Sequence, residues 1–253
     1  MTVKDLYERL NLAFPLSLSL DWDRDGLMVC PDPGRRVRRV LVTLDVTPAA
    51  ADAAIQAGAD LILSHHPLLF HPLATLSYED PGARTALKLA VAGISVACFH
   101  TRADAAHDGV SDLLAAALGL SNVETLGEER LLRVGTVRHP MSGEALARHV
   151  KEALGVPAVT LADAGQPVRW VAVSGGEGKD LIDLARANGA DAYVSGRFGY
   201  HVMQDAAAAG LTLVEAGHYY TEVGILDRMK QLVLEATDAE VIVRAEPPIR
   251  VLS

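Results

Sequence analysis

Two adjacent histidines, His65 and His66, follow directly after the short apolar run Leu61-Ile62-Leu63. A run of this length between polar residues predicts a buried strand, and ligands of α/β folds bind at the edge where such strands end. Neutral imidazole is the commonest metal ligand in proteins. Neighbouring imidazoles at a strand end point in different directions, which suits two adjacent ions better than one. The alternative interpretation is an exposed pair of loop histidines.

Histidine and acidic side chains follow two further apolar runs of the chain. Asp104 comes shortly after the run at 94–99, and His218 and Glu222 come after the run at 211–215. A helix that begins near His218 would place His218 and Glu222 on one face, because residues four apart are neighbours there. Alone, a His-x-x-x-Glu pair is typical of a surface hydrogen bond or salt bridge.

Three imidazoles and two carboxylates thus follow predicted strands, and together they make a mixed nitrogen and oxygen ligand set. The set is His65, His66, Asp104, His218 and Glu222. Such ligands suit zinc, iron, manganese, nickel or cobalt, and the sequence does not choose among these metals. One catalytic zinc uses three protein ligands. Five ligands therefore predict a site for two divalent ions with one carboxylate as a bridge.

Apolar runs alternate with alanine-rich helical stretches along the chain. The predicted order is strand 40–44, helix 48–56, strand 61–63, helix 83–92, strand 94–99 and helix 110–118. This alternation predicts an α/β fold with largely parallel or mixed sheets covered by helices.

The second part of the chain repeats this scheme. Ala57-Gly58-Ala59-Asp60 has a counterpart in Asn188-Gly189-Ala190-Asp191, and the apolar runs before both segments also correspond. We therefore expect two similar α/β halves, 1–127 and 128–253, with the metal site between them at the carboxyl ends of strands. Helix-capping chemistry explains part of the match, since glycine commonly ends helices.

The composition is that of a globular protein with an acidic surface. Half of the residues are hydrophobic and the formal net charge is −9, which argues against nucleic acid as the main partner. Two cysteines give no disulfide framework. The first residues contain no signal-peptide core and no apolar segment approaches membrane-spanning length. These features predict a cytoplasmic protein without a membrane partner.

Three further features allow two interpretations each. His100 and His201 could carry protons beside a metal-activated water, or they could be core histidines. Asp45 could hydrogen-bond a ligand imidazole or cap the helix that opens at Pro48. The glycine-rich segment at 174–178 could cradle a phosphate, but it lacks a complete phosphate-binding motif, and an ordinary tight turn is favoured.

Five segments together resemble one protein family over almost the whole chain. They are WDRDGL at 22–27, LDVT at 44–47, SHHPL at 64–68, HTRADAA at 100–106 and AGHYYTE at 216–222. The chain resembles the Nif-three-like dinuclear metal-centre proteins, often labelled GTP cyclohydrolase I type 2 homologues. The resemblance implies that the five residues chosen above bind two metal ions, with Glu222 as the bridge. It also implies a toroidal homohexamer with its sites facing an internal cavity.

The activity implied by this resemblance is metal-dependent hydrolysis of a small-molecule substrate, in the manner of a GTP cyclohydrolase. A non-catalytic metal carrier or regulatory protein would use the same ligands, and an interaction module with incidental histidines is a third reading. The chain departs from the family pattern at Arg24, Asp25, Arg102, Ala103 and 196–201. The arginines Arg24, Arg102 and Arg197 suggest an anionic substrate.

Overall fold

The computed structural model describes residues 1–249, in which helices and strands alternate along most of the chain. The strands are β1 (Gly26–Val29), β2 (Arg39–Thr43), β3 (Leu61–Ser64), β4 (Ser95–Cys98), β5 (Ser121–Leu126), β6 (Leu132–Met141), β7 (Thr160–Ala162), β8 (Val168–Val173), β9 (Ala192–Ser195), β10 (Thr212–Glu215) and β11 (Glu240–Arg244). The α-helices are α1 (Val3–Leu10), α2 (Pro48–Ala57), α3 (Pro81–Val91), α4 (Thr101–Ala105), α5 (Val110–Ala117), α6 (Gly143–Leu154), α7 (Ile182–Ala187), α8 (Tyr200–Ala208), α9 (His218–Glu222) and α10 (Ile225–Ala236). Short 3-10 helices lie at Leu16–Leu18 and Lys179–Leu181.

The first compact unit consists of Met1–Ala106 and Ile225–Pro248. Its five-stranded sheet has the order β1-β4-β3-β2-β11, in which β1 is antiparallel to β4 and the other neighbours are parallel. All four residues of the central strand β3 are buried, as expected for a short apolar strand covered on both faces. Ala51 and Ala54 of α2 and Leu89 of α3 pack in the same core cluster as Ile62 of β3.

The second compact unit contains His107–Gly224. Its six-stranded sheet has the order β5-β6-β8-β9-β10-β7. The strands β8, β9 and β10 are parallel, and β5, β6 and β7 pair with their neighbours in antiparallel fashion. Two core clusters, one with Val171 and Val194 and the other with Tyr193 and Leu213, cover this sheet. The predicted α/β class, with mixed sheets covered by helices, is confirmed.

A carboxylate clamp occurs at equivalent places in the two sheets. The Oδ2 atom of Asp60 accepts hydrogen bonds from the backbone N–H groups of Arg38 and Arg39 as the chain enters β2. The Oδ2 atom of Asp191 accepts the same two bonds from the N–H groups of Arg169 and Trp170 in β8. Asp60 is the residue before β3, and Asp191 is the residue before β9. The repeated sequence therefore has a repeated local structure.

The chain passes from the first unit to the second after Ala106 and returns to the first at Ile225. Division of the sequence into similar halves near Gly127 stays a prediction. Within residues 1–249, no helix is both long enough and apolar enough to cross a lipid bilayer.

Candidate functional site

The carboxyl ends of three adjacent parallel strands carry the chemistry of the first unit. Asp45 lies just beyond β2, His65 and His66 directly follow β3, and His100 lies just beyond β4. The sheet order β2-β3-β4 places these strand ends side by side, because parallel strands end at the same edge. The predicted position of the histidine pair at the end of a buried strand is confirmed.

The three histidines of this edge share one arrangement: the Nδ1 atom of each ring faces a hydrogen-bond acceptor. The partner of His65 is the carbonyl oxygen of Phe99 at 3.0 Å. The partner of His66 is Oδ1 of Asp45 at 2.9 Å, and that of His100 is Oδ1 of Asp23 at 2.9 Å. A carbonyl or carboxylate only accepts, so in the neutral ring Nδ1 carries the hydrogen and Nε2 keeps a lone pair. Metal-binding histidines are held in the same way.

The three rings lie close enough together for their nitrogens to share a ligand. Their centroids are 4.9, 5.4 and 5.7 Å apart, and one ring nitrogen of each lies within 4.8 Å of the others. The group of His65, His66 and His100 could therefore hold a metal ion. In addition, Nε2 of His65 is 3.5 Å from Oδ1 of Asp104 in α4. Two ligands of one tetrahedral zinc lie about 3.3 Å apart, given bonds of roughly 2.0–2.1 Å, so this spacing fits ligands of one ion.

Asp23 is the principal feature of the first unit that the sequence interpretation missed. Its side chain is fully buried. Oδ1 accepts from His100 and from the N–H of Arg24, and Oδ2 accepts from both the N–H and the hydroxyl of Thr101. Burial alone would raise the pKa of Asp23, but hydrogen bonds from His100 and Thr101 outweigh it and hold the pKa far below its usual value. Asp23 is therefore an ionised anchor for His100.

The hydrogen bond between Asp23 and His100 also affects the pKa of His100. Burial alone would lower its pKa, but the hydrogen bond to Asp23 and the charge of Asp104 overcome that effect, and the pKa is raised. Both carboxylates thus favour the protonated form of the ring.

Arg102 does not face a ligand, and the suggestion that it binds an anionic substrate is wrong. It is completely buried and pairs with Asp25, with Nε 2.7 Å from Oδ2. Its other nitrogens donate to Asn11, the carbonyl of Phe14 and the hydroxyl of Tyr7. The guanidinium also lies 4.3 Å from the centroid of the Phe99 ring. Together these contacts hold the segment that carries Asp23.

The two remaining arginines of that suggestion, Arg24 and Arg197, are exposed, and their role in binding an anion stays a prediction. The two interpretations of Asp45 are now resolved. Its carboxylate bonds to His66, whereas Thr47 caps α2 by accepting from the N–H of Ala50.

In the second unit, α9 holds His218 and Glu222 on one face, as the four-residue spacing predicted. Nε2 of His218 is 3.1 Å from Oε2 of Glu222, and the glutamate is buried. Gly176, at φ +63°, lies directly against this pair: a β-carbon there would be 2.5 Å from Oε1 of Glu222 and 3.3 Å from Nε2 of His218. The glycine-rich segment therefore packs directly against His218 and Glu222, and a side chain at Gly176 would clash with them.

His201 lies in the first turn of α8, is exposed, and has its ring against that of Tyr200. Its role as a proton carrier stays a prediction. The sequence signal that could have found Asp23 was weak, because an acidic residue in a short polar loop is usually a surface residue. The signal for Gly176 is the Gly175-Gly176 pair before a helix, but that pattern predicts a tight turn or a phosphate cradle and not a contact with His218 and Glu222.

Fold and site together define an α/β protein with a group of anchored histidines at the carboxyl edge of a parallel sheet. The sequence profile of Duf34/NIF3 (NGG1p interacting factor 3) matches residues 1–247. The chain belongs to this family.

Relatives with assigned names agree with this placement. A protein of Streptomyces coelicolor named "GTP cyclohydrolase 1 type 2 homolog" is 35% identical over 232 residues, which cover 87% of this chain and 81% of that protein. A protein of Lactococcus lactis with the same name is 33% identical and covers 87% and 86% of the two chains. The crystal structure of a Bacillus cereus protein related to NIF3 superimposes with a TM-score of 0.91 at 22% identity, covering 100% and 99% of the chains. This last likeness concerns the fold.

Proposed function

We propose that the protein is a metal-dependent hydrolase that holds two divalent ions. The residues that would hold the ions are His65, His66, Asp104, His218 and Glu222, and Glu222 would be shared between them, as the family resemblance implies. The observation that carries the proposal is the anchoring of the His65 and His66 rings through Nδ1, because hydrogen bonds of this kind prepare Nε2 for a metal. The 3.5 Å spacing of His65 and Asp104 and the 3.1 Å spacing of His218 and Glu222 support it.

Bound divalent ions would supply Lewis acidity and lower the pKa of a coordinated water to near neutrality. The protein itself fixes the direction of two of the proposed ligand rings, those of His65 and His66. The buried carbonyl of Phe99 and the carboxylate of Asp45 set the tautomers of His65 and His66. A preorganised site of this kind loses little entropy on binding.

His100 is proposed as the proton carrier of the reaction. Its Nδ1 is held by Asp23, so Nε2 is the nitrogen that can exchange a proton with a substrate or a water. This is the arrangement by which a buried carboxylate orients an imidazole and stabilises its charged form. The names of the relatives suggest a purine nucleotide, GTP, as the substrate.

The test is the metal content and turnover of purified protein. We expect the wild-type chain to take up two zinc or manganese ions per subunit and to hydrolyse GTP in the loaded state. A His65→Ala, Glu222→Ala double variant should lose most of the bound metal, and elemental analysis by mass spectrometry measures this directly.

The matched control is a His107→Ala, Glu235→Ala double variant, because both of these side chains are largely exposed. It should keep its metal. Equal metal in the two double variants would refute the ligand assignment. Two bound ions without turnover of GTP, of other nucleotides or of phosphoesters would leave a metal carrier instead of a hydrolase.

A further inference from the structure

The loop that carries Asp23 also presents an exposed aromatic ring beside the histidines. Trp22 is 54% exposed and Phe70 is 47% exposed. The two rings are neighbours, with centroids 6.2 Å apart. Large aromatic side chains that remain half exposed as a pair mark interaction sites more often than isolated exposed residues do.

Both rings flank His100. The centroid of Trp22 lies 6.2 Å from that of the His100 ring at 78°, and the centroid of Phe70 lies 6.0 Å away at 76°. The anchored imidazole therefore meets both aromatic rings with near-perpendicular planes. A flat molecule that stacks on Trp22 or Phe70 can therefore lie close to the His100 ring.

Trp22 is positioned by its neighbours and not by its own burial. The next residue, Asp23, is fixed by four hydrogen bonds, and its N–H donates to the carbonyl of Leu20. The N–H of Leu20 in turn donates to the hydroxyl of Thr101. A short loop held by hydrogen bonds on both sides of Trp22 fixes the backbone from which the indole projects, which lowers the entropic cost of stacking.

We propose that Trp22 and Phe70 form a stacking subsite for a planar heteroaromatic ring and that this ring is the part of the substrate presented to His100. Exposed aromatic rings bind such ligands because every flat π system offers a face for stacking, largely independently of its substituents. The proposal rests on the proposed function only in identifying the ring as part of the substrate.

The chain contains only two tryptophans, Trp22 and Trp170, which gives a direct optical test. In a Trp170→Phe variant, Trp22 is the only tryptophan. We expect GMP to quench its fluorescence in a saturable manner, whereas ribose 5-phosphate, which has the same phosphate and sugar without the base, should not. The reciprocal Trp22→Phe variant leaves Trp170 as reporter and should show no saturable quenching.

Calorimetric titration with GMP measures the contribution of the rings. Trp22→Leu and Phe70→Leu should each weaken binding by roughly tenfold or more, the loss expected for removal of a base-stacking ring. Tyr200→Leu is the matched control, because that aromatic residue of the second unit is 74% exposed, and it should bind GMP as the wild type does.

Several outcomes would overturn the subsite. Equal responses to GMP and ribose 5-phosphate would show that the phosphate alone is bound. Unchanged affinity in Trp22→Leu would show that the indole is not used. A smaller assembly mass in Trp22→Leu, without loss of GMP affinity, would assign the rings to contacts between copies of the chain.

The same titrations separate this inference from the proposed function. They are carried out on chelator-treated protein and on zinc-loaded protein. If GMP quenches Trp22 fluorescence but the protein takes up no zinc and does not turn over GTP, the subsite stands and the proposed hydrolase is refuted. Bound metal and turnover of GTP without quenching would do the reverse.

Discussion

At the residue scale, the direction of each imidazole is set by the group behind it. A histidine whose Nδ1 donates to a fixed oxygen is held in one tautomer, in which Nε2 carries the lone pair. Asp23, Asp45 and the carbonyl of Phe99 perform this task for three rings. These acceptors contact the candidate ligands without being ligands themselves, so their removal should alter the site without removing a ligand.

Replacement of Asp23 by asparagine tests this view. All four partners of the carboxylate donate, so the amide NH2 group would face at least one donor wherever it points. We expect a loss of stability of about 1–3 kcal/mol and a lower pKa of His100, because the carboxylate that raises it is gone. NMR titration of the ring in metal-free protein measures the pKa. Asp21→Asn, an exposed neighbour, is the control, and an unchanged titration of His100 in Asp23→Asn would argue against the anchor.

Gly176 offers a second test, because its backbone touches the candidate ligands of the second unit. Gly176→Ala places a methyl group against the Glu222 carboxylate, and the left-handed backbone adds about 1 kcal/mol of strain. We expect weaker metal binding in a folded protein, measured by competition with a chromogenic chelator. Gly189→Ala has the same strain, at φ +77°, but open space around it. If both variants bind metal equally well, close contact with Glu222 does not matter.

The sequence predicted the ligand candidates better than it predicted their supports. Strand ends and ligand chemistry together indicated His65, His66 and His218, because apolar runs and imidazoles are both visible locally. Asp23 belongs to the site only through contacts with Thr101 and His100 from a distant part of the chain, and no local pattern reveals such a contact.

At the element scale, an aspartate links two neighbouring parallel strands in each unit. It lies just before one strand and accepts two backbone hydrogen bonds from the start of the other. The Asp60 clamp has an additional charged partner, since Nε of Arg35 donates to Oδ1 at 2.8 Å. Burial alone would raise the pKa of Asp60. The hydrogen bonds from the backbone of Arg38 and Arg39 and from the side chain of Arg35 outweigh burial and lower the pKa. A lowered pKa in the folded state means that the ionised clamp stabilises the fold.

The pH dependence of that contribution follows from its sign. It is fully present above the unfolded-state pKa of about 3.9 and is lost as the pH falls through the lower folded-state value. Asp60→Asn should therefore cost roughly 1–3 kcal/mol at pH 7, and the difference from the wild type should shrink below about pH 4. Urea denaturation at pH 7, 5 and 3 measures it. Asp183→Asn, with a side chain 97% exposed, should change stability by less than about 0.5 kcal/mol, and a pH-independent gap for Asp60→Asn would contradict the assignment.

The parallel core strands could be predicted, whereas several other strands could not. The runs 40–44, 61–63 and 94–99 correspond to β2, β3 and β4 because each is a short, continuous apolar segment. Five of the six residues of β5 are exposed, so that strand has no apolar run to reveal it. The edge strand β11 is partly exposed as well, and it joins β2 across about two hundred residues of intervening chain. Pairing at such a separation is set by the whole fold and not by a local pattern.

At the scale of the whole molecule, we expect a homohexamer, as the family resemblance implies. Light scattering coupled to size-exclusion chromatography should give six times the mass of the chain at micromolar concentration. A monomeric mass that persists at high concentration would be evidence against this assembly, and the metal content of the monomer would then show whether one chain suffices for binding.

The path of the chain through the first unit has a consequence for biosynthesis. The strand β11 and the helix α10, with its buried Ile225, Met229 and Val233, belong to the same unit as His65, His66 and His100. The ribosome therefore makes His107–Gly224 of the other unit before it delivers the edge strand of the first sheet. Until residues beyond Arg244 have emerged from the exit tunnel, β2 is an open edge on the nascent chain. Arrested chains that end at Gly224 should therefore engage chaperones more strongly than released full-length protein.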